Sequence, residues 1–121
     1  MKESLRKKYI PMTETTYYAL LSVVIPRHGY AIMQYVSNLT GKRITLGTGT
    51  LYTMVGRLTA DGIIRVIPDS GKKAYQITDI GLELLQEETR RLELQLADGR
   101  KSLAGGVFPA LDMENGQEVS K

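Results

Sequence analysis

The 121-residue sequence has no cysteine and no tryptophan, and only one histidine, one phenylalanine and four prolines. Without cysteine there can be no disulfide, no thiolate-bound metal and no cysteine nucleophile. With His28 as the sole imidazole, a catalytic triad would have to be built around it, and a metal site would lean on carboxylates alone. His28 stands in Pro26-Arg27-His28-Gly29, a loop-like setting where a solvated side chain is expected. No stretch approaches the run of about 18 apolar residues that a membrane span needs. The basic start is followed by no apolar segment ending in a small-residue cleavage site, so it does not read as a secretory signal. A cytoplasmic location is expected, with no membrane partner. A phosphate-cradling loop is missing too, because Leu46-Gly47-Thr48-Gly49-Thr50 is followed by no Lys-Ser/Thr pair. These absences make an enzyme the weakest reading, and no metal and no cofactor are expected.

What is present fits one small globular domain with an appendage. Hydrophobic residues are 42% and charged residues 24% of the chain, enough for a single modest core that a dimer interface would usefully extend. The net charge of +3 is unevenly spread. Residues 1–77 carry eleven Lys/Arg against four Asp/Glu, net +7, whereas residues 78–121 carry five against nine, net −4. A basic front and an acidic back suit a chain whose front meets a polyanion and whose back meets protein.

Residues 1–12 read as a basic N-terminal arm. Thr13 can cap a first helix, largely apolar from Tyr17 to Ile25 and ended by Pro26. In a second helix opening at Gly29, Ile32, Tyr35, Val36 and Leu39 form an amphipathic stripe, closed by Gly41 in a left-handed conformation. Lys42–Leu46 allows a short strand. Thr48 can cap a third helix to about Ala60, with Leu51, Met54, Val55 and Leu58 inward. Ile63–Ile67 and Lys73–Ile77 then read as a β-hairpin around a five-residue loop, residues 68–72. Thr78 caps a long fourth helix on which Leu82, Leu85, Thr89, Leu92, Leu96, Gly99 and Leu103 recur at alternating spacings of three and four. That heptad seam asks for a partner helix, and Thr89 and Gly99 are its weak positions. The expected fold is mainly α with a small β-hairpin: a winged helix-turn-helix over 13–77, a dimerisation helix over 78–104 and a disordered tail over 105–121.

The outer face of the third helix carries Gly49, Thr53, Gly56, Arg57 and Ala60, flanked by Thr50 and Tyr52. A merely solvated face usually shows many lysines and glutamates; this one is small, hydroxylated and acid-free until Asp61. Such a surface suits a DNA major groove, where small residues permit close approach and threonines reach bases or phosphates. Backbone N–H groups near Thr48, Gly49 and Thr50 can also meet a phosphate. Lys72 and Lys73 at the hairpin add sequence-independent attraction, with Lys42 and Arg43, then Lys7 and Lys8, as further phosphate candidates. Tyr17, Tyr18, Tyr30, Tyr35, Tyr52 and Tyr75 read most simply as core residues with a polar rim contact, though Tyr30 or Tyr52 could reach DNA.

From about Thr13 to Leu96 the sequence resembles the PadR family of bacterial transcriptional regulators. The stretches that carry the resemblance are Pro26-Arg27-His28-Gly29-Tyr30-Ala31-Ile32-Met33, Leu46-Gly47-Thr48-Gly49-Thr50-Leu51-Tyr52, Arg57-Leu58, Asp61-Gly62-Ile63-Ile64 and Tyr75-Gln76-Ile77-Thr78 with Gly81. The resemblance implies a homodimeric winged-helix repressor whose C-terminal helix crosses the partner subunit. It also implies a roughly palindromic operator, often at a stress, efflux or detoxification gene, and leaves room for a small-molecule effector. A single C-terminal helix corresponds to the family's short subclass. The chain departs from the family pattern at Thr48, Gly56 and Thr59 and in its lysine-based, arginine-poor wing, which bears on individual phosphate contacts rather than on the class.

The expectation is therefore a sequence-specific, DNA-binding transcriptional regulator. Its interface would use Thr48, Gly49, Thr50, Tyr52, Thr53, Arg57, Lys72, Lys73, Lys42 and Arg43, and its dimer seam Leu82, Leu85, Leu92, Leu96 and Leu103. The alternative is a winged-helix adaptor that binds protein and not DNA.

Overall fold

The computed structural model describes residues 3–106. The elements are α1 (Glu3–Tyr9), α2 (Glu14–Ser22), β1 (Arg27–His28), α3 (Gly29–Leu39), α4 (Thr48–Ala60), β2 (Ile64–Asp69), β3 (Lys72–Ile77) and α5 (Asp79–Gly106). The chain divides into two compact units, Met1–Glu88 and Thr89–Lys121, and α5 runs from the first into the second. The architecture is mainly helical with a small antiparallel sheet, the winged helix-turn-helix expected, followed by a long C-terminal helix. The expectation of a disordered tail falls mostly outside the described residues, and Gly105 and Gly106 still belong to α5.

The N-terminal residues do not form the expected arm. Glu3 in the first turn and Arg6, Lys7 and Lys8 in the last complement the helix dipole of α1. Tyr9 at its end is buried in the core. Arg6 donates from Nε and Nη2 to the Glu87 carboxylate (3.0 and 2.6 Å to Oε2) at the start of α5. Charge counting registers only the basic excess of this segment; the partners that fix it lie far along the chain.

Thr13 caps α2 as expected, its hydroxyl accepting from the Thr16 amide at 3.2 Å. The helix nevertheless stops at Ser22, short of Ile25. Pro26 disfavours helical geometry just before it, and Arg27 Nε binds the freed Ser22 carbonyl at 2.6 Å. Lys42–Leu46 forms no strand: Thr40 Oγ1 donates to the Val36 carbonyl at 2.8 Å and accepts from the Ile44 amide at 3.0 Å, so the segment folds back on the end of α3. The third strand is Arg27–His28 instead. It pairs with β3 through Arg27↔Tyr75 and His28↔Ala74, giving the order β1-β3-β2.

The hairpin is tighter than its five-residue expectation. Asp69 pairs with Lys72, leaving Ser70 and Gly71 as a two-residue turn with φ of 51° and 81°. Positive φ at both positions is the primed geometry that matches strand twist, which Gly71 adopts freely and Ser70 does not. Ser70→Asn should therefore raise stability by about 0.5 kcal/mol, seen as a rise of about 2–4 °C in the thermal midpoint. An unchanged or lower midpoint would contradict this account of the turn.

Leu20, Ile32, Leu51, Leu58, Ile63 and Leu84 are fully buried, and each such side chain contributes about 1.5–3 kcal/mol. Thr78 caps α5 by accepting from the Gly81 amide at 3.1 Å while donating to the Gly62 carbonyl at 2.6 Å. The first turns of α5 bury Gly81, Leu84, Leu85 and Glu88. This corrects the expected seam at its start. Leu85 belongs to the core of its own unit and Leu82 is half-buried against that core, because the helix is rotated to lay Gly81 and Leu84 inward.

Candidate nucleic-acid interface

Helix α4 is divided by side-chain type as the 3.6-residue period requires. Leu51, Met54, Val55 and Leu58 are buried, and Thr48, Gly49, Thr50, Tyr52, Thr53, Gly56 and Arg57 are exposed. Gly47 stands at its N-cap and supplies no side-chain hydrogen bond, so no cap side chain satisfies the amides of the first turn. Added side-chain atoms at Gly49 or Gly56 would meet open space. These glycines are not needed for packing, which leaves their smallness available to whatever approaches the helix.

Two open grooves flank this face. One, of about 480 Å³, lies between the start of α2 and α4 and is lined by Thr13, Thr15, Thr16, Thr50, Thr53 and Arg57 among others. Arg57 is held at its edge: Nη2 donates to Thr16 Oγ1 at 3.3 Å and the guanidinium lies 5.8 Å from the Tyr9 ring centre. Tyr9 in turn donates to Asp61, which also pairs with Lys8 at 2.8 Å. Burial, then the bond to Asp61, pushes the Tyr9 hydroxyl up to about 12, so it stays protonated and keeps donating. Lys8, then Tyr9, lower the Asp61 carboxyl, and the one acid that follows the face is thereby neutralised by α1. Lys8 is spent on this bridge rather than offered to phosphate.

The second groove, of about 470 Å³, lies between the start of α3, Tyr52 and the wing, where Lys72 and Lys73 line it with Tyr30 and Tyr75. Tyr30 is 68% and Tyr52 49% exposed, so these two tyrosines are surface groups rather than core. Tyr75 is buried as expected, and Tyr9, which sequence reasoning passed over, is the other buried tyrosine. Gly29 leaves room here for the Tyr52 hydroxyl, which would have to shift if a β-carbon were added. Neither groove is lined by Lys42 or Arg43. Lys42 sits in the turn after α3 with φ 65°, and Arg43 donates to the Tyr18 hydroxyl at 3.0 Å. His28 is not simply solvated: its ring reaches Asp69 and the Lys73 carbonyl in the wing.

Of the expected dimer positions, Leu92 is half-buried, whereas Leu96 is 56% and Leu103 69% exposed. All three lie in the second unit. Among the described residues no group of His, Asp and Glu is placed to hold a metal ion, and no helix is long and apolar enough to cross a membrane.

Known proteins resemble this chain in sequence and in fold. An uncharacterised 37.1 kDa protein in transposon TN4556 of Streptomyces fradiae is 35% identical over 84 residues, which are 69% of this chain. The chain spans only 21% of that curated relative. The solved structure of a PadR-like transcriptional regulator from Bacillus cereus is similar in fold, with a TM-score of 0.62 at 17% identity over 84% of this chain and 97% of the other. A transcriptional regulator from Clostridium thermocellum gives 0.61 at 20% identity, covering 82% and 97%. The model of the transcriptional regulator PadR-like family matches residues 18–87, from the middle of α2 through the wing to the start of α5. That is more than half of the chain and takes in α4 and the whole wing, and it sets the enzyme reading aside: the chain belongs to the PadR-like family of transcriptional regulators.

Proposed function

We propose that this regulator binds DNA as a homodimer and represses transcription from a roughly palindromic operator. In this reading α4 enters the major groove, with Thr48, Gly49, Thr50, Tyr52, Thr53 and Arg57 toward bases and phosphates, and the wing lysines Lys72 and Lys73 neutralise the flanking backbone. Lys42 and Arg43 are peripheral to it. The observation that carries the reading is the exposed face of α4, small and hydroxylated over Thr48–Arg57, without an acid, beside a lysine-bearing wing. Two such helices in a dimer would read half-sites about one helical turn apart. Leu92, Leu96 and Leu103 of α5 supply the apolar stripe for pairing. Release by a small-molecule effector and a cytoplasmic location complete the proposal.

Titration of genomic fragments at two salt concentrations tests it. Binding should prefer particular fragments and weaken with salt, and each lysine lost from the interface should reduce the log–log salt slope by about 0.9. Lys72→Glu with Lys73→Glu should cut affinity at least about tenfold while leaving the fold intact. A protein-binding adaptor would show neither the salt-weakened binding nor any effect of the lysines, and that result would overturn the proposal.

A further inference from the structure

We propose that His28 is a positioning residue for DNA binding: it latches the wing in place only while its imidazole carries both protons. The inference rests on the DNA-binding reading above and adds to it a control by protons. His28 lies on β1, at the edge of the sheet opposite β2. Its ring spans β3, with Nδ1 3.1 Å from the Lys73 carbonyl oxygen and Nε2 3.0 Å from Asp69 Oδ2 on β2. Both oxygens are acceptors only. A neutral imidazole has one N–H to donate and would turn its other nitrogen's lone pair against an oxygen, whereas the imidazolium donates to both. Only the doubly protonated ring can donate to both oxygens at once.

What the latch holds is the tip of the wing. Asp69 pairs across the hairpin with Lys72, and every residue from Pro68 to Lys73 is exposed. No apolar burial fixes this tip, so its hydrogen bonds decide how well Lys72 and Lys73 are placed. The charged and titratable groups facing the ring are Asp69 from β2, Lys72, Lys73 and Tyr75 from β3, Tyr30 from α3 and Tyr52 from α4. Arg27, on the ring's own strand, is engaged elsewhere, 4.2 Å over the Tyr35 ring and bonded to the Ser22 carbonyl. A phosphate drawn to Lys72 and Lys73 adds negative charge beside the ring and tips the balance toward the proton. Binding and protonation are then coupled, and by linkage affinity rises as pH falls. His28 is the chain's one histidine, so it is the side chain whose ordinary chemistry changes charge between pH 5 and pH 8.

Two measurements on the intact protein test this. The imidazole ¹⁵N shifts of the free protein report the number of ring protons directly, and fluorescence anisotropy on a bound genomic fragment at constant ionic strength reports affinity from pH 5.5 to 8. At pH 6 the free protein should show both nitrogens protonated, with the Ser70 and Gly71 amides shifting on the same titration. Affinity should fall about tenfold between pH 6 and pH 8. His28→Gln, which cannot titrate, should flatten that profile. Asp69→Asn should flatten it too, because a carboxamide can donate to the neutral ring. A His28→Gln profile as steep as the parent's, or a ring singly protonated at pH 6, would overturn the latch. Absence of DNA binding at every pH, with the ring doubly protonated and coupled to the turn amides, would instead sink the DNA-binding reading alone.

Discussion

Gly81→Ala should lower the unfolding free energy of the winged-helix unit by about 2–3 kcal/mol. A β-carbon at this position would fall onto the Ile63 carbonyl oxygen and lie 2.8 Å from Ile77 Cγ1. Neither neighbour can yield cheaply. Ile63 is fully buried, and its carbonyl accepts from both the amide and the hydroxyl of Thr78, each at 3.0 Å. Relief would require lifting the start of α5 away from the hairpin, which strains those bonds and loosens Leu84. Alanine is the better helix former by about 1 kcal/mol, and that gain only partly offsets the clash. The control is built into the chain: Gly49, Gly56 and Gly99 have open space where a β-carbon would go, so alanine there should be neutral or stabilising. Urea denaturation of the four variants separates the cases, and a Gly81→Ala protein as stable as the parent would show that α5 does not seat on Ile63 as described.

The elements most legible in the sequence were those governed by local rules. Thr13 and Thr78 cap the helices expected of them, and the inward stripe of α4 is the one its spacing predicts. Legibility failed where distant partners decide. A two-residue strand such as Arg27–His28 shows no alternation, and only β3, more than forty residues on, makes it a strand. The α1 segment looked like a charged arm because its anchors, Glu87 and Asp61, are remote in sequence. The five-residue loop expectation weighted Pro68 as a turn residue. It stands in a strand at the sheet's edge, where a missing N–H costs little.

The candidate site divides along the same line. The exposed side of α4 follows from periodicity once the buried side is known, so Thr50, Thr53 and Arg57 were readable. That Arg57 rests against Thr16 and Tyr9 was not, since those residues come from α2 and α1. Its guanidinium is a pre-positioned group at a groove edge, not a free arm. The tyrosines illustrate the limit of composition: Tyr75 is core, yet Tyr30 and Tyr52 line a surface groove, and the Tyr52 hydroxyl lies against Gly29.

Aspartate at Leu96, alone and with Leu92→Asp, should convert the proposed dimer to monomer and cost at least about a thousandfold in operator affinity. Seam positions on a helix bury little unless a second helix covers them, and Leu96 and Leu103 are more than half exposed. Fully covering an exposed leucine contributes about 1.5–3 kcal/mol, so in the double variant two lost on each of two protomers remove at most roughly 6–12 kcal/mol, against about 8 kcal/mol for a micromolar association, and a buried aspartate adds its desolvation cost in either variant. The loss reaches the DNA through effective concentration: a dimer holds its second α4 near its half-site at about millimolar level, and a monomer forfeits that advantage. Leu96→Asp is the cleaner arm, because Leu92 is half-buried and its replacement could also disturb the helix. Light scattering should give a mass near the 13.5 kDa of one chain, while the thermal midpoint of the winged-helix unit stays within a few degrees of the parent. A stable dimer of the double variant would move the interface off this stripe. A monomer with undiminished operator affinity would separate pairing from DNA reading and confine the latter to residues 13–77.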